Sequence, residues 1–367
     1  MKKILLITSV YTGAGHKSIS DALAEQFSEM PGVEVKVIDG FELAGSLWPQ
    51  LSKFYGFTTR HAPAVYNASW IFTTKVPSRS AIVARMCDRR FVKCLREFRP
   101  DLILSVHPMF TTVLTRMLKM HDLSIPVVVL QADIVSIHRY WCDPEAYRTI
   151  CPSKEAYDAS LKMGMPAERL KLLGFPVRKR FCDAARAAEK KDFDGSRPLR
   201  CLLMSGGEGC GSLGDYAEAI LENTDAAVTI ICGRNKKLRA QLQNSLCGRY
   251  DRRMKVFGFV PAIEKAMLQS DVLIARGSPN TLLEAVTLNL PLIMTGSALL
   301  QEKGNAELMR DLGFGVICGS PEEVPEIIRD LTADHGAKLR AIRKAQREYR
   351  SFDNARNIAV YVADLIK

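Results

Sequence analysis

The sequence predicts an α/β protein of two domains, each a parallel β-sheet covered by helices. Three observations carry this. A chain of 367 residues exceeds the roughly 250–300 residues that one hydrophobic core usually serves. Apolar runs of strand length alternate with longer segments of helical periodicity, the order that builds parallel sheets. That alternation lapses in a charged stretch over 182–198 and then restarts. Domains over 1–180 and 198–350 are therefore expected, with a final helix over 352–367 packing back on the first.

Residues 3–10 read as a strand, followed by the turn Tyr11-Thr12-Gly13-Ala14-Gly15-His16. A helix over 18–30 places Ile19, Ala22, Leu23 and Phe27 on one face, and a strand over 33–38 completes a β-α-β unit. A Gly-x-Gly alone is weak evidence for a dinucleotide site, and Ser18 stands where the third fingerprint glycine belongs. Gly13 and Gly15 instead suit a loop whose backbone a substrate can approach. His16 has two readings: a solvated side chain in a first helical turn, or a general base that takes a proton from an attacking hydroxyl near neutral pH.

Over 43–74 the regular pattern fades and aromatics gather: Trp48, Phe54, Tyr55, Phe57, Tyr66, Trp70 and Phe72. The helix over 78–98 has an apolar side with Ile82, Met86, Leu95 and Phe98. Its other side is cationic, with Arg79, Arg85, Arg89, Arg90, Lys93 and Arg96. The formal net charge is +11. Aromatics beside a basic amphipathic helix suit an anionic membrane surface, met through the region from Trp48 to Trp70 and the 78–98 helix. The plainer alternative is core aromatics and solvated arginines. No run approaches the ~20 apolar residues that span a bilayer. The Met1-Lys2-Lys3 start reads as a first strand rather than a signal peptide. Ten cysteines without knuckle spacing read as reduced thiols. A cytoplasmic protein, peripheral on the inner face of the cell membrane, is expected. The charge comes with no RNA or DNA module, so nucleic acid is not an expected partner.

Strands over 100–106 and 126–130 end in His107-Pro108-Met109 and Gln131-Ala132-Asp133. Asp133 falls just past a strand's carboxyl end, where open α/β sheets bind ligands. It orients His16, contacts a substrate, or caps a turn. His107, Asp133 and His138 are too irregularly spaced for a metal site. A strand over 148–151 and a helix over 154–163 lead to Gly174-Phe175-Pro176-Val177-Arg178. Asp192-Phe193-Asp194 has the form of a metal-chelating pair but follows no strand, so no metal is expected there.

In the second half, a strand over 200–204 enters Ser205-Gly206-Gly207-Glu208-Gly209-Cys210-Gly211, a phosphate-loop signal without the Lys-Ser/Thr ending of an ATPase loop. Strands over 227–232 and 254–257 end in Gly233-Arg234-Asn235 and Gly258-Phe259. The strand over 272–275 reaches the turn Arg276-Gly277-Ser278-Pro279-Asn280-Thr281. The helix that follows offers phosphate its unpaired N–H groups and its dipole. Glu284, read in that helix's first turn, suits ribose hydroxyls. A further strand over 291–295 precedes Gln301-Glu302-Lys303-Gly304-Asn305, and a basic helix covers 338–350. The pattern reads as a nucleotide-sugar site.

Seven motifs in order make the chain resemble glycosyltransferase family 28, nearest to the monogalactosyldiacylglycerol synthases and processive diacylglycerol glucosyltransferases. They are Gly13-Ala14-Gly15-His16, Ser105-Val106-His107-Pro108-Met109, Cys151-Pro152-Ser153, Gly174-Phe175-Pro176-Val177-Arg178, Gly206-Gly207-Glu208-Gly209, Ile231-Cys232-Gly233-Arg234-Asn235-Lys236-Lys237-Leu238 and Gln301-Glu302-Lys303-Gly304-Asn305. The resemblance implies a GT-B fold, two Rossmann-like domains with parallel sheets facing a central cleft. It implies an inverting, metal-independent transfer of a hexose from a UDP-sugar to a diacylglycerol-type lipid, with UDP-hexose as donor substrate and no cofactor. By that resemblance His16 and Asp133 are catalytic. Arg178, Gly206, Gly207 and Glu208 meet the diphosphate, the backbone around Phe259 reads uracil, Glu284 holds ribose, and Gln301 and Glu302 hold the hexose. Gly15, Arg234, Ser278, Asn280, Thr281 and Asn305 complete the donor set.

The turn Arg276 to Thr281 departs from the family's usual Lys-Ala/Pro-Gly-Pro/Gly-Gly-Thr. Asn280 replaces a glycine, so either its tolerance for left-handed backbone is used or the cradle is reshaped. Gln131-Ala132-Asp133 departs from Met/Ile-Thr-Asp. These departures leave the donor's identity open, and the altered turn keeps a non-catalytic UDP-sugar sensor as an alternative; transfer to another lipid and a nucleotide-sugar epimerase on the same fold are the others.

Overall fold

The computed structural model describes residues 1–10, 14–45, 58, 62–75, 80–188, 191–204, 212–250, 252–297 and 299–366. Among them are two six-stranded sheets. The first contains β1 (Lys2–Thr8), β2 (Val33–Asp39), β3 (Leu102–Ser105), β4 (Val127–Leu130), β5 (Arg148–Cys151) and β6 (Leu170–Leu172), in the order β2-β1-β3-β4-β5-β6. The second contains β7 (Arg200–Met204), β8 (Ala227–Ile231), β9 (Met254–Phe257), β10 (Val272–Ala275), β11 (Leu292–Thr295) and β12 (Gly315–Cys318), in the order β12-β11-β10-β7-β8-β9. Every pairing is parallel.

Burial of the central strands follows from sequence. Ile4-Leu5-Leu6-Ile7 in β1, all of β4 and all of β10 are apolar and buried, because helices cover both faces of a parallel sheet. Each such side chain contributes about 1.5–3 kcal/mol on burial. The edge strands β2 and β9 read Val-Glu-Val-Lys-Val-Ile-Asp and Met-Lys-Val-Phe, with charges interleaved among apolar residues. A charged row on an edge strand discourages pairing with another chain.

The chain forms two compact units. The first is Met1–Lys179 with Ala298–Lys303 and Asp353–Lys367, and the second is Arg180–Ser297 with Gly304–Phe352. Within the first, the helix Asn354–Asp364 packs on the helix Ala14–Ser28. Lys2 Nζ donates to the Ala363 carbonyl at 2.8 Å, and Asn354 Nδ2 donates to the Phe175 carbonyl at 3.3 Å. Gly174 makes room for this contact. It adopts φ +82°, and a Cβ there would fall 2.5 Å from Asn354 Nδ2.

Several local expectations change. The first helix starts at Ala14, so Gly15 and His16 are helical. Residues Pro63–Lys75 form a helix where the pattern had faded; its apolar residues Val65, Ile71 and Phe72 face outward while Tyr66, Asn67 and Thr73 are less exposed, which removes the contrast that marks an amphipathic helix. The charged stretch is more than a linker. It begins with the helix Lys179–Ala187, Phe193 enters the second unit's core, Asp192 pairs with Arg343, and Asp194 accepts from the Ser196 N–H at 2.9 Å. The basic helix is the far part of Val324–Tyr349, broken at 333–336 where Asp334, His335 and Gly336 take positive φ. Trp48, Phe54, Tyr55, Phe57 and Arg79 lie outside the described residues.

Strand order reverses direction between β1 and β3 in the first sheet, and between β10 and β7 in the second. Such switch points open crevices past the carboxyl ends of the strands. In β12, a Cβ on Gly315 would stand 2.1 Å from the Leu292 carbonyl oxygen of β11. Gly315→Ala is expected to destabilise the second unit by roughly 1–3 kcal/mol, read by calorimetry as a lower unfolding midpoint. An unchanged profile contradicts this packing.

Candidate active site

At the first unit's switch point, β3 continues past Ser105 into Val106, whose N–H donates to the Ile7 carbonyl of β1 at 2.9 Å. The Val106 carbonyl oxygen lies 2.8 Å from His16 Nδ1. A carbonyl only accepts, so Nδ1 carries the hydrogen and Nε2 keeps its lone pair. His107 is held the opposite way. Its Nδ1 accepts from the Met109 N–H at 3.3 Å, which puts its hydrogen on Nε2. The two imidazoles are 4.5 Å apart, and Phe41 and Phe110 stand 5.4 Å and 5.5 Å from the His107 ring.

Burial lowers the His16 pKa from 6.5 to about 4, against the opposing Val106 bond. His107 is also held well below its ordinary value, first by burial and then by His16. Both rings are neutral at pH 7. The unfolded chain binds a proton at position 16 below pH 6.5, and the folded protein does so only near pH 4. Stability from this group is present above that window and is lost as pH falls through it.

Asp133 follows β4. Its Oδ2 accepts from the indole N–H of the fully buried Trp141 at 2.6 Å, and that indole lies 6.1 Å from the His16 ring. The Val106 carbonyl therefore orients His16, and Trp141 joins Asp133 to it. Burial raises the Asp133 pKa from 3.8 to about 7; the Trp141 bond opposes the rise and the Glu302 carboxylate adds to it. Poor hydration and a neighbouring negative charge both favour the protonated form of Asp133.

Glu302 is buried at the end of a short turn, Leu300–Glu302, that belongs to the first unit. The Tyr66 hydroxyl donates to Gln301 Oε1. The Leu300 N–H donates to Asn67 Oδ1 at 3.0 Å, and Ser136 Oγ donates to the Lys303 carbonyl at 2.6 Å. His16, Asp133, Gln301 and Glu302 thus share one unit. Arg178 is half-buried in the same unit.

In the second unit, the turn after β10 is tighter than expected. The helix Pro279–Thr287 starts at Pro279, with Ser278 as its extended N-cap. Asn280 and Thr281 are already helical, so Asn280 does not use left-handed backbone. Glu284 is buried in the second turn rather than standing in the first. Asn305 is wholly buried, and its amide donates to the Gly277 carbonyl at 2.7 Å, which braces the turn from within. Past β8 and β9, the Arg234 guanidinium lies 4.9 Å from the centre of the exposed Phe259 ring. This pairs a cation with an aromatic face. Gly206, Gly207 and Glu208 lie outside the described residues.

Sequence reasoning passed over His107, Trp141 and Tyr66 as site residues. The strand-end rule that selected Asp133 selects His107 equally. No local signal marks Tyr66, whose partner is 235 positions away.

A carboxyl pKa raised to about 7 means that the folded state keeps a proton the unfolded chain releases, so rising pH costs stability between about 4 and 7. Asp133→Asn is expected to gain in Tm relative to the parent protein across that window and to level off above it. A difference independent of pH rules out a protonated Asp133.

A family model for monogalactosyldiacylglycerol (MGDG) synthase matches residues 16–177, and one for the glycosyltransferase family 28 C-terminal domain matches residues 213–350. Monogalactosyldiacylglycerol synthase 1, chloroplastic, of Arabidopsis thaliana is 30% identical over 90% of this chain, which spans only 64% of that relative. Probable monogalactosyldiacylglycerol synthase 2, chloroplastic, of Oryza sativa subsp. japonica is 30% identical over 92% of this chain and 75% of its own length. Among solved structures, MurG of Acinetobacter baumannii superposes with a TM-score of 0.66 at 14% identity, covering 100% of this chain and 99% of its own. That likeness gives the fold, the GT-B type. The chain belongs to the monogalactosyldiacylglycerol synthase family and carries a family 28 glycosyltransferase C-terminal domain.

Proposed function

We propose that this protein transfers a hexose from a UDP-sugar to the free hydroxyl of a diacylglycerol-type lipid, with inversion and without a metal, at a membrane surface. The observation that carries this is the tautomer of His16. With Nδ1–H committed to Val106, the neutral ring offers Nε2 as a base. The acceptor oxygen forms a bond to the anomeric carbon, the bond from that carbon to the diphosphate breaks with its electrons, and the proton passes to Nε2. One displacement inverts the centre. An imidazole with a pKa of about 4 is a weak base, suited to a hydroxyl that becomes acidic as its oxygen bonds to carbon.

On the donor side, the N-terminus of the helix Pro279–Thr287 and Arg178 meet the growing charge of the leaving diphosphate in place of a metal. Phe259 and Arg234 take the uracil end, Glu284 the ribose, and Gln301 and Glu302 the hexose. The names of the relatives support galactose as the hexose and a glycerolipid as the product.

The lipid surface is met by two helices of the first unit. Pro63–Lys75 exposes Val65, Ile71 and Phe72, and Ser80–Phe98 exposes Ile82 and Met86 beside Arg85, Arg89 and Arg96. Apolar side chains among arginines suit the headgroup region of an anionic bilayer. Tyr66 and Trp70 turn inward, so only part of the aromatic cluster serves this surface. No helix among the described residues is long and apolar enough to cross a membrane.

Incubation with UDP-galactose, UDP-glucose and GDP-sugars in the presence of diacylglycerol vesicles tests the reading; glycolipid is the expected product. Free isomerised nucleotide, or binding with no product, overturns it. His16→Ala is expected to lower kcat by about 10²–10⁴-fold with UDP binding retained. Parental turnover by that variant removes His16 as the base. Binding to anionic vesicles is expected to weaken as salt rises. Equal binding to neutral vesicles in high salt counts against the cationic helix.

A further inference from the structure

The helix Pro63–Lys75 has two faces with different work. Tyr66, Asn67, Trp70 and Thr73 recur at helical spacing and face the first unit. Tyr66 is 6% exposed, against 58% for Val65 and 57% for Phe72 on the same helix. The Trp70 ring packs 5.2 Å from the His138 ring, and Thr73 Oγ1 lies 3.2 Å from His138 Nε2. His138 in turn caps the short turn Arg139–Trp141, which ends on the indole bound to Asp133. The helix that offers apolar side chains outward is thus bound on its inner side to the segment carrying Gln301 and Glu302.

The Tyr66 bond has a chemical consequence. A phenol O–H held on Oε1 fixes which end of the Gln301 amide faces Tyr66. The amide then presents its Nε2 hydrogens on the other side, as donors suited to a hydroxyl oxygen. Asn67 fixes the main chain one residue earlier by accepting from the Leu300 N–H.

We propose that Tyr66 is a positioning residue for the hexose of the donor. It sets the Gln301 amide and, with Asn67, the Leu300–Glu302 turn, so that recognition of the sugar is built on the same helix that meets the lipid surface. This rests on the reading of Gln301 as a hexose contact. In this role Tyr66 acts through Gln301 and not on the reacting atoms.

The experiment is a double-mutant cycle on the full chain. It uses Tyr66→Phe, Gln301→Ala and the pair, with calorimetric Kd values for UDP-galactose, UDP-glucose and UDP. Tyr66→Phe is expected to weaken the better-bound UDP-hexose about 3- to 10-fold, the loss of one hydrogen bond. The Kd for UDP and binding to phosphatidylglycerol vesicles should not change. The double variant should bind UDP-hexose no more weakly than Gln301→Ala alone, because residues that act through one another are not additive. Additive losses, a Tyr66→Phe protein with parental UDP-hexose affinity, or equal loss of UDP and vesicle binding each overturn the positioning role. If the parental protein binds UDP-hexose no tighter than UDP, the hexose reading fails first. That failure appears before any variant is compared.

Discussion

A parallel strand covered on both faces favours ionisable side chains beyond its ends rather than within it, and in the first unit this constraint meets the candidate site at one peptide. Val106 extends β3 by one residue, and its N–H closes the ladder to Ile7 of β1. Its carbonyl, at the switch point, receives the Nδ1–H of His16. The register of two buried strands therefore decides which nitrogen of a histidine keeps a lone pair. Ile4 to Ile7 are wholly buried, so shifting that register would disturb close packing on both faces of the strand, and the core itself protects the tautomer.

Two aspartates, one in each unit, show how differently the fold can treat the same residue type. At the start of β10, burial pushes Asp271 upward, but hydrogen bonds from Arg197 and Arg200 outweigh it and bring the pKa to about 2. Those arginines lie 2.6 Å and 3.1 Å away, and the group is a fixed anion that ties the charged stretch to the sheet. Asp133 meets an indole N–H and another carboxylate in place of cations, and its pKa rises to about 7. Its charge changes near neutral pH, whereas Asp271 stays an anion down to far more acidic conditions. Perturbed carboxyls of this kind cluster at functional sites, which agrees with the place of Asp133 in the candidate site.

The alternation of apolar runs and helical segments was enough to read both sheets, since continuous burial leaves continuous hydrophobic sequence. The strand-end rule singled out Asp133, because a residue just past a buried strand must emerge at the same edge as its neighbours, whereas Arg234 and Phe259 came from the family resemblance. The helix Pro63–Lys75 escaped the same reading. Its inner face is polar and aromatic and its outer face apolar, so the usual contrast is inverted and flattened. Asn305 escaped for another reason. Its motif marks it as part of a site, but only the packed structure shows its amide turned inward to Gly277.

Taken alone, the sequence determined the two α/β units, the parallel sheets and the set of residues gathered at their carboxyl edges, because these follow from burial along contiguous segments. Only the tertiary structure decided that Glu302 shares an environment with Asp133, that Trp141 links Asp133 to His16, and that Tyr66 holds Gln301. Each of those relations joins residues whose separation along the chain carries no periodic signal. Their protonation and orientation come from desolvation and hydrogen-bond geometry, which exist only once the segments have packed.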